Sequence, residues 1–328
     1  MKCHTRIEEA HKKVIKGELW EKNPSIIPAC SACHPPHIVD VPKVQARISD
    51  QSCMKCHKDE NLHKIIGADT ISLFRDNNEL PNSVHKNIQC TECHTAVTDH
   101  LERPCATNLP VDCSSCHAEV FDMYFESGHG QAHYNNKKDA PYCTDCHGTH
   151  ATKSKYDDTS PVYRTAIPQL CGDCHREDGK ASSVEGLHEN NAMADYSSSV
   201  HGMGLTAKGL TVSAVCTDCH TSHMELKMDD ERSSVHPKNV QQTCGTCHKG
   251  IYDTYLQSDH AFRSDPKGTE YPTCVKCHTA HKISQVSQDK FMKEVTHQCG
   301  SCHEETADTY MKTYHGKAYQ LGYFESAR

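Results

Sequence analysis

Apolar residues along this chain come in short clusters and never hold a period for long. AEVFDMYFES (118–127) and segments like it lack Gly and Pro and suit helices of about three turns. Most of the rest is rich in Gly, Pro, Asn and Ser, which reads as loop. No alternating apolar–polar run is long enough to build a sheet. The pattern predicts mainly short α-helices and coil, with little or no β-sheet. No run of about 18 apolar residues occurs, so no transmembrane helix is expected. The first twenty residues lack the apolar stretch of a secretory signal.

Composition deepens the puzzle. Only 36% of the 328 residues are hydrophobic and 6% aromatic, with Trp20 the single tryptophan. A soluble chain of this length normally buries a substantial apolar core, and here there is little to bury. Cysteine and histidine are the anomaly, at 22 and 27 residues. Something other than polypeptide is expected in the interior. The net charge of −8 comes from mixed acidic and basic residues. That mixture offers no basic stripe for nucleic acid.

Twenty of the cysteines fall into ten copies of C-x-x-C-H. They are Cys30-Cys33-His34, Cys53-Cys56-His57, Cys90-Cys93-His94, Cys113-Cys116-His117 and Cys143-Cys146-His147. The other five are Cys171-Cys174-His175, Cys216-Cys219-His220, Cys244-Cys247-His248, Cys274-Cys277-His278 and Cys299-Cys302-His303. Zinc ribbons, redox pairs and disulfides also use C-x-x-C, but none requires histidine next. With 27 histidines in 328 residues, chance would place one there in about one motif in twelve. Ten of ten points to covalent attachment of haem c. Each thiol adds across one vinyl group, and the adjacent histidine ligates iron from the proximal side. The expected cofactor load is about ten haems.

The motifs alternate between two kinds. Type A has a second histidine close behind: His34/His37, His147/His150, His220/His223 and His278/His281 follow C-H-x-x-H, while His94 has His100 as its nearest follower. Type B leads into Ser-x-His or a variant. CHAEVFDMYFESGH (116–129), CHKGIYDTYLQSDH (247–260) and CHEETADTYMKTYH (302–315) share an Asp-x-Tyr and a histidine twelve residues after the motif. The other two type B copies reach NSVH (82–85) and SSVH (198–201). The expected organisation is a remnant of a preceding unit (1–29) and then five dihaem units: 30–89, 90–142, 143–215, 216–273 and 274–328.

Ten motif histidines thus face ten candidates for the distal side of iron. These are the type A followers His37, His100, His150, His223 and His281, and the type B followers His85, His129, His201, His260 and His315. Three residues span about 4.5 Å of helix rise and cannot pass around a porphyrin edge. His150 is therefore expected to serve a haem other than the one at His147. The twelve-residue link from His117 to His129 covers roughly 18 Å if helical, so it too should join different haems. His11, His63, His133, His188, His236 and His297 remain, with His236 and His63 the first replacements if an assignment fails.

Met1–His4 reads MKCH, the last four residues of CMKCH at 53–57. Cys3 and His4 are read as the remnant of an eleventh site whose first cysteine is gone. YHGKAYQLGYFESAR at the other end resembles the lead-in to a type A motif. An export signal is then expected upstream. Cys105, in RPCATNLP, is read as a free thiol.

CTDCHGTH (143–150), TSPVY (159–163), CGDCH (171–175) and SSVHG (198–202) together resemble bacterial multihaem c-type cytochromes. The pattern runs from Cys30 to His315 and is similar to decahaem periplasmic conduits and to pentahaem donors of nitrite reductase. The resemblance implies a multihaem cytochrome c architecture with bis-histidine haems in closely spaced chains, located in the periplasm or outside the cell. It implies electron flow from a quinol-oxidising membrane cytochrome to a terminal reductase or an outer-surface acceptor, in anaerobic respiration. Irons with two histidines leave no position for substrate, which favours electron transfer. The rival is a multihaem oxidoreductase of the nitrite, hydroxylamine or tetrathionate type with one open haem. C-x-x-C-K, which often marks such a haem, is absent. A homo-oligomer or filament is a third arrangement, compatible with the first.

Overall fold

The computed structural model describes residues 49–66, 69–95, 97, 111–184, 191–261, 272–286 and 289–323. Cys3, His4, His11, Cys30, Cys33, His34, His37, His100, Cys105 and His188 lie outside the described residues. The chain forms two compact units, Met1–Phe121 and Asp122–Arg328. As expected, the protein is short helices and coil. The one sheet among the described residues has two strands.

In the first unit, α1 (Asp50–His57) carries a motif and is capped by Ser49, whose side chain accepts from the Ser52 N–H. A hairpin follows, β1 (His63–Ile66) pairing antiparallel with β2 (Asp69–Ser72). No strand is predicted there, because HKII and DTIS are too short for alternation to register. The next motif opens on α2 (Cys90–Cys93). The Asp50 carboxylate accepts from the Cys90 N–H at 2.9 Å, tying these two motif helices together.

α3 (Ala118–Glu126) starts in the first unit and ends in the second. The second unit continues with α4 (Gly128–Tyr134), α5 (Cys143–His147), α6 (Ile167–Gly172), α7 (Ala192–Ser198) and α8 (Val200–Thr206). Then come α9 (Cys216–His220), α10 (Val240–Gly245), α11 (Lys249–Leu256) and α12 (Cys274–His278). α13 (Asp289–Cys302), α14 (Glu304–Lys312) and α15 (Tyr314–Gln320) complete it.

Three of the type B motifs launch helices. The carbonyls of His117, His248 and His303 accept from Phe121, Tyr252 and Ala307 at 2.9 Å, so each motif histidine begins the helix behind it. These helices, α3, α11 and α14, run eight or nine residues, short of the three turns expected. A hydroxyl residue cuts them off. Ser127 and Thr313 follow α3 and α14, and cap the next helix by accepting from the Gly130 and Gly316 N–H groups. Ser199 does the same between α7 and α8, accepting from Gly202. This is ordinary N-capping, repeated at the same place in three of the sequence units.

The glycine that follows His129, His201 and His315 has a steric cause. A Cβ at Gly130, Gly202 or Gly316 would stand 1.9, 2.1 or 2.2 Å from the carbonyl oxygen of Tyr124, Tyr196 or Tyr310. Only glycine lets the second helix turn this sharply against the first. In Ser-x-His-Gly, serine caps, glycine admits the close approach, and histidine is held at a sharp corner.

The apolar core is small. Among the described residues only Tyr124, Ile167, Leu205, Val215, Val240, Phe291 and Tyr319 are buried hydrophobics. Ile167, Leu205 and Val215 form one cluster, against which Cys171 and Cys216 pack. At about 1.5–3 kcal/mol per fully buried side chain, that cluster alone does not hold a chain of this length. No described helix is long and apolar enough to cross a membrane.

Candidate haem sites

Type A motifs sit on α5, α9 and α12, each five residues long and ending on the motif histidine. The helix start is pinned from within the motif in two of them. Asp145 accepts from the Tyr142 N–H at 2.7 Å, and Asp218 from the Val215 N–H at 2.8 Å. The chain then reverses through a residue at positive φ: Gly148 (71°), Thr221 (67°) and Thr279 (63°). With ψ near 180° this region is essentially reserved for glycine. The two threonines meet the strain by using their hydroxyls. Thr221 Oγ1 donates to the Met224 carbonyl at 2.9 Å and Thr279 Oγ1 to the Lys282 carbonyl at 3.0 Å. Each bond closes a loop around the follower histidine, His223 or His281.

Six histidine ring pairs then emerge. In the first unit His85 meets His117, with ring centroids 6.0 Å apart. In the second, His129 meets His175 at 6.0 Å, His147 meets His223 at 5.9 Å, and His201 meets His248 at 6.1 Å. His220 meets His281 at 5.8 Å and His260 meets His303 at 6.3 Å. Every pair joins one motif histidine to one follower histidine of a different sequence unit. Metal–nitrogen bonds of about 2.0–2.1 Å, with roughly 1.1 Å from ring centre to nitrogen, put two imidazoles on opposite sides of one ion about 6 Å apart. The residues present fit an iron between each pair.

A simple rule covers all six. Type B followers reach forward: His85, His129, His201 and His260 face the type B motif of the next unit. Type A followers reach backward: His223 and His281 face the type A motif of the preceding unit. Sequence unit 216–273 is thereby joined to 143–215 and to 274–328 twice each, in opposite senses.

Cysteines follow the same order. The Cys171 and Cys216 thiols hydrogen-bond each other, which raises the first and lowers the second. Cys244 and Cys274 do likewise, with Cys274 brought down to about 7. In each case the first cysteine of a type B motif touches the first cysteine of the following type A motif. The carrier helices pack accordingly, α6 on α9 and α10 on α12.

Burial also disfavours the charged form of six of the paired imidazoles. Desolvation, helped by neighbouring His175, pushes His129 down to about 4. Desolvation lowers His175, His201, His220, His223 and His281 in the same direction. A neutral imidazole keeps the lone pair that metal ligation requires. Among the carboxylates, burial raises Glu225 to about 7.

Other histidines have other neighbours. His57 makes a 2.7 Å hydrogen bond from Nδ1 to the Leu73 carbonyl. A carbonyl only accepts, so Nδ1 carries the proton and Nε2 is left as the ligating nitrogen. Orienting His57 is thus the service of the hairpin, which leads straight into Leu73. The His278 ring lies 5.1 Å from Phe291, nearly parallel. His315 opens α15 beside Tyr314. His94 belongs to the first unit and His150 to the second. His236 Nδ1 accepts from the Lys238 N–H at 3.1 Å, and the Nδ1 of His63 lies 2.7 Å from the Asn61 carbonyl oxygen. His133 stacks on Tyr142, centroids 4.7 Å apart. It occupies the place that Leu205 takes against Val215 before the next type A motif.

Several supporting residues carry no mark in the sequence. Arg164 clamps α9 from the preceding unit, with both terminal nitrogens on Asp218 at 3.1 and 2.8 Å. It also donates to the carbonyls of Thr211 and Ser213. The Tyr124 and Tyr196 hydroxyls donate to the Pro141 and Ala214 carbonyls, two residues ahead of the next motif. The Asp-x-Tyr repeat is a signal for Tyr124; nothing in the sequence signals Arg164.

Residues 27–62 and 133–180 match the family described as the doubled CXXCH motif. These matches support a multihaem c-type cytochrome. The motifs indicate covalently bound haem c, and the helix-rich chain with its small sheet is consistent with that architecture. No curated protein and no solved structure matches the chain at a significant level.

Proposed function

We propose that the chain is an electron conduit of about ten haems c, each iron held by two histidines. The observation that carries this reading is the set of six imidazole pairs at 5.8–6.3 Å, each made of one motif histidine and one follower. Haem supplies reversible one-electron chemistry when bound. The chain's residues supply the rest. Paired cysteines would fix each group in place, and one motif imidazole with one follower imidazole would close its two axial positions. The forward and backward reach of the followers binds successive units together. Contacts between cysteines of successive motifs bring neighbouring haem edges close, and tunnelling rates fall steeply with that distance.

On this reading electrons pass from a quinol-oxidising membrane component to a terminal reductase or an extracellular acceptor, in the periplasm or at the cell surface. Filled axial positions leave nowhere for a substrate to bind iron. Carbon monoxide added to the reduced protein therefore leaves the visible spectrum unchanged. A Soret shift in the untreated protein would instead favour a multihaem oxidoreductase with an open haem.

A further inference from the structure

Two neighbouring sites share one docking bond, and the residue that accepts it is charged at one and apolar at the other. α4, which carries His129, is docked by a hydrogen bond from the Gly128 N–H to the Glu225 carbonyl at 2.9 Å. α8, which carries His201, is docked the same way, from the Val200 N–H to the Ile283 carbonyl at 2.8 Å. Glu225 and Ile283 hold the same place, two residues beyond the follower histidines His223 and His281. The backbone device is shared. The side chains are opposite in character.

At the first site the Glu225 carboxylate comes within 3.8 Å of His129 Nδ1. It also acts electrostatically on Cys171, in the motif that His129 faces, and on Cys146 of the motif at His147. Ile283, at the second site, brings no charge to His201, where the Asp218 carboxylate of the neighbouring type A motif acts instead. An imidazole ligand becomes a stronger donor when a carboxylate lies at its outer nitrogen, and negative charge near iron favours the ferric state.

Resting on the bis-histidine reading above, we propose that Glu225 is a positioning and tuning residue that makes the haem at Cys171, Cys174 and His175 harder to reduce than its counterpart at Cys244, Cys247 and His248. The repeat alone would make those two haems nearly equivalent. A single carboxylate sets a step between them and gives the array a direction of easier electron flow.

The size of the step follows from Coulomb's law. A unit charge close to the ligand, at an effective dielectric of about 20–40, changes the ferric-to-ferrous ratio by about tenfold. For a one-electron couple, tenfold corresponds to about 59 mV.

Potentiometric titration of the holoprotein at pH 8.5, followed in the α-band, tests this. Glu225→Gln, which keeps shape and removes charge, should move the amplitude of one haem upward by about 59 mV. Ile283→Glu should move the amplitude of one haem downward by a similar amount. The reciprocal pair guards against a variant that folds poorly. If both variants titrate like the parent while the spectrum stays insensitive to carbon monoxide, the tuning role is wrong and the conduit stands. If the parent itself binds carbon monoxide, the bis-histidine reading has failed first. Displacement of all ten amplitudes together would mark a structural effect and overturn the assignment.

Discussion

Gly202→Ala should turn a steric detail into a change at iron. The added Cβ would stand 2.1 Å from the Tyr196 carbonyl oxygen and 2.9 Å from the Ser197 Cα. Both neighbours are backbone, so α8 must retreat by more than 1 Å to reach ordinary contact. His201 is next to that glycine and faces His248 across 6.1 Å. A metal–imidazole bond of about 2.0–2.1 Å does not stretch that far, so one axial ligand is lost. Overpacking of this kind costs about 1–3 kcal/mol. The expected result is a lower unfolding midpoint and a carbon monoxide difference spectrum worth one haem. His201→Ala should produce the same spectral amplitude. Gly250→Ala is the control, since a Cβ there meets nothing within 4 Å. It should leave the spectrum alone and stabilise α11 by about 0.5–1 kcal/mol. A Gly202→Ala protein as stable and as silent to carbon monoxide as the parent would refute the reasoning.

Further outcomes follow from the same contacts. His223→Ala and His281→Ala should each open one haem to carbon monoxide, whereas His236→Ala should open none; a signal from the last would break the forward-and-backward rule. Thr221→Ala keeps the strained backbone and loses the bond to Met224, so it should unfold more readily than Thr221→Gly, which relieves strain of about 1–3 kcal/mol. The reverse order in a denaturant titration would count against the strain argument. Arg164→Lys gives up a two-point clamp on Asp218, and because both groups are partly exposed the loss should stay near or below about 1 kcal/mol, read as a small shift in thermal midpoint. Electron delivery to a partner should slow as salt is added, because the chain carries −8 before haem propionates are counted; a rate indifferent to ionic strength would contradict electrostatic docking.

Much of the site could be read in the chain because its chemistry is local. Two thiols and an imidazole must be close in sequence to hold one haem, so C-x-x-C-H declares itself, and seven of the ten follower histidines recur three or twelve residues behind their motif. Short helices and the absence of an extended sheet also follow from local pattern. Which imidazole meets which is a different matter. The three-residue offset of His150 says only that its partner lies elsewhere; the facing of His223 to His147, and of His201 to His248, depends on how units stack. Residues that act across that stacking leave no local trace. Arg164 lies 54 positions before Asp218, and Glu225 lies 96 after His129 by residue number. The hairpin at 63–72 escaped for the opposite reason. Its strands have four residues each, fewer than any period needs, and its value lies in presenting Leu73 to His57.

Electron paramagnetic resonance of the fully oxidised protein tests the central claim most directly, because spin state reports axial ligation at every iron. Two imidazoles on each iron predict low-spin ferric signals accounting for all the haem, with no high-spin component. A substantial high-spin signal in the unmodified protein, or preparations without haem, would contradict the account.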